Sequence, residues 1–393
     1  MRFFVKLTLL SAFAAFLFAC APSGAQAAAT PAPKPKLEVS GWIPYWRSAT
    51  GTIDAMEHFD VLTEVNPFGY SVKSNGTIAD TMKVHEEPWA SFIAAARAKK
   101  IRVIPTLMWS NGADIHRILS NTETRINLED SITALVNGEE YDGIEIDFEG
   151  KYAETRPYFS TFLRGLYQRM GKKWVMCDIE PRTPISSRYE GTPPKGAGEY
   201  ANDYSAINKY CDRVKIMAYD QGSIDVKLNA ANFGPYIPIA DSTWVEKVVN
   251  LTAQTILKKK LVLGIPTYGY EYNVTSLSED GYRYTLQWAF NPRYALDLAK
   301  EFNLTPVRNF AGELNITYFP AVPPPPDANP LDLPKALAQT TASDGTFNIA
   351  WWSDAKAIAE KVALARKLGL RGVAIFKIDG GGDPALWEAL PRR

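Results

Sequence analysis

From residue 39 onward, short apolar runs alternate with longer amphipathic stretches. Residues 39–45, 61–70, 101–107, 143–149, 174–179, 214–219, 261–266 and 373–378 have the length and the β-branched and aromatic content of strands. Between them, 89–99, 156–170, 243–258 and 355–368 carry apolar residues at helical spacing. Strand–helix alternation builds a parallel sheet. Eight such strands predict an α/β fold closed as a (β/α)8 TIM barrel rather than an open doubly wound sheet. No Gly-rich dinucleotide fingerprint follows any of these strands, which weighs against a nucleotide-binding open sheet.

One connection is far longer than a βα loop. From about residue 270 to 347, after the seventh strand, a helical pattern at 288–302 joins strand-like pieces at 305–307 and 316–319. Four consecutive prolines at 323–326 then stop any regular element. A small α+β insertion beside the barrel mouth is the expectation.

The first residues read as an address. Arg2 and Lys6 precede an apolar run over 7–19, too short for a comfortable membrane span. Leu17-Phe18-Ala19-Cys20 resembles a lipobox and would leave a lipid anchor on Cys20, whereas Ala25-Gln26-Ala27 suits ordinary secretion. Residues 1–27 are therefore assigned to a signal peptide, 28–38 to an Ala/Pro/Lys linker and 39–393 to the barrel. Both cleavage readings export the chain, as an anchored lipoprotein or as a secreted or periplasmic protein. In an oxidising compartment Cys177 and Cys211 are able to pair, but two buried free thiols are the expectation.

Composition narrows the partner. Lys+Arg and Asp+Glu are equal at 43 each in the 393 residues, so no bulk charge favours nucleic acid or an anionic membrane. The three His and three Cys show no metal-ligand spacing, so no metal or cofactor is expected. The 10 Trp and 19 Tyr suit a neutral sugar polymer, whose apolar faces aromatic rings cover. A monomer is expected.

The most informative stretch is Tyr141-Asp142-Gly143-Ile144-Glu145-Ile146-Asp147-Phe148-Glu149. Period-2 alternation puts Ile144, Ile146 and Phe148 on one face and Glu145, Asp147 and Glu149 on the other. Inside a barrel, successive acids would stand about 6–7 Å apart, with Glu149 at the C-terminal, catalytic end. Enclosed carboxylates repel one another and cost desolvation energy, so stability does not explain them. Crowding should raise at least one pKa, as a general acid requires. An exposed antiparallel strand with acids facing water is the bland alternative. The βα pattern around it disfavours that alternative.

This stretch resembles the fourth strand of glycoside hydrolase family 18, the chitinase family, through Asp142, Gly143, Asp147 and Glu149, with Glu145 where many members have Asp. Met217-Ala218-Tyr219-Asp220 and Leu263–Tyr270 resemble the sixth and seventh strands. The whole pattern is similar to the branch of spore-cortex and peptidoglycan-fragment N-acetylglucosaminidases. The resemblance implies substrate-assisted retaining cleavage of β-1,4 bonds in N-acetylglucosamine-containing glycans, chitin oligomers or peptidoglycan. Glu149 would be the acid, Asp147 would orient the acetamido group, Tyr219 would bond its carbonyl, and Glu145 would tune Asp147. Asp142, Met217 and Asp220 are expected to bind substrate, with Tyr45, Phe68, Trp109, Tyr268 and Phe376 as sugar-facing aromatics. Phe376 departs from the Trp common at its position and offers a smaller ring. The alternative is a non-catalytic chitinase-like carbohydrate-binding protein, which the retained Glu149 disfavours.

Overall fold

The structure, a computed structural model, describes residues 36–232, 234–278, 281–319 and 346–393. The signal region, Cys20, most of the linker and the proline run at 323–326 lie outside them. Eight parallel strands close on themselves: Glu38–Pro44, Glu64–Val72, Thr106–Trp109, Gly143–Phe148, Trp174–Ile179, Arg213–Ile216, Leu261–Pro266 and Gly372–Phe376. The first pairs with the second through Trp42 and Asn66, and with the last through Val39 and Val373, so the barrel has no open edge. The fold is the expected (β/α)8 barrel.

Helices cover the outer face because the outward residues of each strand are apolar. Arg156–Met170 lays Phe159 and Phe162 against Phe148, whose ring stacks on Phe162 at 5.5 Å and 21°. That helix starts with a proline in its first turn, where no N–H is needed, and ends at Gly171 with φ 59°. Phe162 is fully buried, which contributes roughly 2–3 kcal/mol, and truncating it to Ala would cost about 3–5.

The barrel interior is charged below its mouth. Arg102 Nε donates to Glu64 Oε2 at 3.2 Å, Glu64 Oε1 lies 3.4 Å from Lys215 Nζ, and Lys215 lies 2.5 Å from Glu145 Oε1. Signs alternate up the axis, so each buried charge has an opposite neighbour. Such an arrangement avoids the several kcal/mol that an unpaired buried ion costs.

The insertion is a five-stranded antiparallel sheet in the order Tyr282–Phe290, Gly269–Ser276, Thr346–Trp352, Leu314–Tyr318, Val307–Arg308. Residues 288–290 prove to be strand, not helix, because the β-forming run from Tyr282 pairs with Gly269–Ser276. The helix is shorter, Pro292–Glu301, with its start set by proline in the first turn. Glu313 ties the insertion down: its carboxylate accepts from the Ile239 and Ala240 N–H at 2.9 Å each and from Trp351 Nε1 at 2.7 Å.

Two further expectations are corrected. Cys177 and Cys211 are not free thiols but a disulfide, Cα atoms 6.0 Å apart. Both lie outside the barrel wall, and strand pairing of Cys177 with Val214 brings the two chain segments side by side. The sixth strand ends at Ile216 rather than at 219. Beyond it, the Ala218 and Tyr219 N–H groups turn inward along the chain to the carbonyls of Ile216 and Met217.

Candidate active site

The fourth strand delivers its acids at three depths. Glu145 is fully buried, Asp147 is 6% exposed, and Glu149 sits half-buried at the mouth, its N–H held by the Trp109 carbonyl at 2.8 Å. Alternation puts them inside because Ile144, Ile146 and Phe148 satisfy the apolar layer outside.

Glu145 is spoken for. One oxygen accepts from Trp42 Nε1 at 2.7 Å and Thr106 Oγ1 at 2.6 Å, and the other faces Lys215. It therefore cannot move to attack a sugar. Lys215 also lies under the Trp42 ring, 4.5 Å from its centroid. Burial alone would lower this ammonium, but Glu145, Glu64 and Asp178 together lift its pKa above the ordinary lysine value.

Above this pair burial and mutual repulsion push the carboxyl pKa values up. Burial, then the charges of Glu149 and Glu145, push Asp147 well above the usual carboxylate range. Asp178, on the fifth strand and 4% exposed, is pushed up by burial and by Glu145 and Asp147. Glu149 is raised too, by burial first and the Glu180 charge next, with the Lys151 ammonium and a hydrogen bond from Asp147 opposing. A carboxyl at the cleft mouth with a raised pKa suits general acid catalysis.

A cavity of about 310 Å³ opens over these groups. Asp147, Glu149 and Asp178 form its floor and wall, with Met217, Tyr219 and Asp220 from the sixth strand's end and Trp42, Phe68, Trp109 and Phe376 as aromatic lining. Phe376 lies parallel to the Tyr219 ring, 5.5 Å away, and edge-on to Trp42 at 5.8 Å. Burial and the surrounding carboxylates keep Tyr219 a neutral phenol, able to donate. Gly264 makes room for it: a Cβ there would stand 3.0 Å from Tyr219 Cε1 and 2.5 Å from the Ile216 carbonyl. Asp220 turns outward at φ 56°, a left-handed position that Asp tolerates. It accepts from the hydroxyls of Tyr268 and Tyr270.

Most of the residues expected from sequence thus converge. Two do not. Asp142 stands at the opposite, N-terminal end of the strand, where its carboxylate accepts from the Val103 N–H at 2.8 Å; its role is to fix the strand pair. Tyr45 does not line the cavity. Its ring abuts Trp46, which lines the mouth instead and meets Phe68 edge-on. Tyr268 is displaced rather than absent, lining an adjoining space of about 270 Å³ that shares Asp220 and Phe376 with the main cavity. Sequence reading missed Asp178, Lys215, Trp42, Lys151 and Tyr270. The signal for Asp178 was its alternation with Glu180, and for Lys215 a lone cation inside an apolar strand.

The family described as Glycosyl hydrolases family 18 matches residues 43–381, nearly the whole barrel and insertion. The chain belongs to that family. It is a glycoside hydrolase, and the cavity holding Glu149 is where its polar and aromatic groups meet. Among relatives, the uncharacterized glycosylase YvbX of Bacillus subtilis is 24% identical over 282 residues, covering 70% of this chain and 67% of that protein. The cortical fragment-lytic enzyme of the same organism is 23% identical over 368 residues, covering 92% of this chain and 75% of the relative. A chitinase structure from Chromobacterium violaceum superposes with a TM-score of 0.67 at 18% identity, over 90% of this chain and 97% of that one. Among the described residues no helix is long and apolar enough to cross a membrane.

Proposed function

We propose that this hydrolase cleaves β-1,4 bonds in N-acetylglucosamine-containing glycans by a substrate-assisted, retaining mechanism. The observation that carries the reading is the meeting of three groups in one cavity: Glu149 with its raised pKa, Asp147 from the same strand, and the Tyr219 phenol. Glu149 gives its proton to the glycosidic oxygen. The 2-acetamido carbonyl of the sugar attacks its own anomeric carbon, and the leaving alcohol departs. Asp147 accepts from the acetamido N–H as positive charge grows on that group, while the Tyr219 hydroxyl orients the carbonyl. Glu149, now a carboxylate, takes a proton from water, which opens the cyclic intermediate and restores the acid.

The arrangement supports the substrate's own acetamido group as nucleophile because Glu145 and Glu180 are both engaged elsewhere. Glu145 is locked under the floor, and Glu180 accepts from Asn202 at 2.6 Å with Lys151 3.6 Å away. The names of the relatives point the same way, to cortical fragments and to chitin. We read the protein as exported and acting as a monomer. Glu149→Gln should lose about 10²–10⁴-fold in turnover on N-acetylated chito-oligomers while melting like the parent. A thiazoline that mimics the cyclised acetamido group should inhibit the parent, and fully de-acetylated oligomers should not be cleaved. Turnover of de-acetylated oligomers at a comparable rate would overturn the mechanism.

A further inference from the structure

Next to Glu149, at the C-terminal end of the fifth strand, a second cavity of about 260 Å³ lies between Lys151 and residues 180–202. Its lining is cationic and aromatic. The Arg182 guanidinium is sandwiched between the rings of Tyr200 and Tyr204, at 3.8 and 4.1 Å, and donates to the Asn202 carbonyl at 2.5 Å. Arg188 donates to the Tyr200 hydroxyl at 2.9 Å. Neither arginine has a carboxylate within ion-pair distance among the described residues, although Arg102, Arg125, Arg169, Arg213 and Arg308 all do.

Lys151 adds a second, independent observation. Its side chain is 1% exposed, its Nζ donates no hydrogen bond, and the nearest carboxylate oxygen, on Glu180, is 3.6 Å away. Three cations thus face this space against the carboxylates of Glu180 and Glu199. Half-buried guanidiniums held rigid by tyrosine rings, with their donors not used on acids, are pre-organised for a planar anion. The fold gains nothing from leaving them unpaired.

We propose that this pocket binds a carboxylate carried by the glycan beside the bond that Glu149 cleaves. The proposal rests on the glycosidase reading above and names its substrate class as acidic, substituted glycan strands rather than neutral chitin. The carboxylate is either an acidic ether on the sugar itself or the end of a short peptide attached to it. Arg182 and Arg188 take the anion. The Lys151 ammonium adds its charge from the wall that it shares with Glu180.

The test compares the full chain with Arg182→Gln and Arg188→Gln on three substrates. These are neutral chitohexaose, peptidoglycan strands bearing their peptides, and the same strands stripped of peptide by an amidase so that the ether carboxylate is free. Each variant should lose about 10-fold or more in kcat/KM on a carboxylate-bearing strand, the effect of one charge-assisted hydrogen bond, and stay within about two-fold on chitohexaose. Loss only on the stripped strands identifies the ether carboxylate, loss only on the peptide-bearing strands identifies the peptide end, and loss on both shows that the pocket takes either carboxylate. Arg188→Lys, which keeps the charge, should recover part of the loss, and melting curves exclude misfolding. Equal behaviour of the variants and parent on every substrate, or equal losses on all three, overturns the anion pocket alone. Failure of the parent to cleave any of them overturns the glycosidase reading, and this proposal with it.

Discussion

Lys215 and Glu145 face each other inside the barrel, Nζ to Oε1 at 2.5 Å, both side chains sealed from solvent. Each is on a different strand, and Lys215 is the cation that offsets the buried Glu145 charge. Lys215→Met would leave Glu145 as an unpaired buried anion and should cost about 3–5 kcal/mol. Lys215→Met combined with Glu145→Gln should recover most of that loss, because a neutral amide still meets Trp42 and Thr106. Denaturant unfolding of the two single variants and the double variant measures the coupling. Simple additivity would refute it.

Tyr219→Phe keeps the ring stacked on Phe376 and removes only the hydroxyl. If that hydroxyl holds the acetamido carbonyl as it attacks, kcat/KM on chito-oligomers should fall about 10²-fold with little change in melting temperature. A parent-like rate would remove Tyr219 from the chemistry and leave it a wall residue.

The pH profile of the rate should respond in opposite directions to two neighbours of Glu149. As the proposed general acid, Glu149 must be protonated to act, so activity should decline as pH rises through its pKa. The Glu180 charge raises that pKa and the Lys151 charge lowers it. Glu180→Gln should therefore move the alkaline limb of kcat/KM to lower pH, and Lys151→Met should move it to higher pH. Limbs that move together, or not at all, would mean that another group controls the profile.

Stability should carry the mark of Asp178. Its folded pKa lies well above the unfolded value because it is buried and faces Glu145 and Asp147. Below the unfolded pKa both states hold the proton and nothing is lost. As pH rises from there toward the folded pKa, stability falls by about 1.4 kcal/mol for each unit of separation, and the deficit persists above it. Asp178→Asn removes the deficit. The variant should gain more over the parent at pH 8 than at pH 4, as read from denaturant midpoints at both.

The Cys177–Cys211 disulfide closes a loop with a sequence separation of 34. Chain entropy assigns such a crosslink about 4 kcal/mol. The Cys177→Ala/Cys211→Ala double variant should melt below the oxidised parent, and should match the parent under reducing conditions. Free thiols found by mass spectrometry in protein purified from an oxidising compartment would contradict the pairing.

The barrel and its acid were legible before any coordinates. A period of two decides which way each side chain of a strand points, so the pattern from Gly143 to Glu149 already put Ile144 and Phe148 outside and Asp147 inside. Family likeness then gave those acids roles that periodicity does not supply. The misreadings have physical causes as well. Asp142 belongs to the same motif, but it lies beyond the far end of the strand, and a motif does not say at which end of a barrel each of its members emerges. Residues 288–290 carry helix-compatible composition, yet pairing with a distant strand overrode it.

Local sequence determined the alternation, the helix starts at proline and the face on which Glu149 lies, because these follow from the geometry of one segment. The tertiary structure alone decided which groups meet: Lys215 with Glu145, Glu180 and Lys151 with Glu149, Cys211 with Cys177, and two arginines without a carboxylate among the described residues. Each of those relationships joins residues on different strands or loops. Their separation in space depends on how the strands align when the sheet closes, and no single segment encodes that.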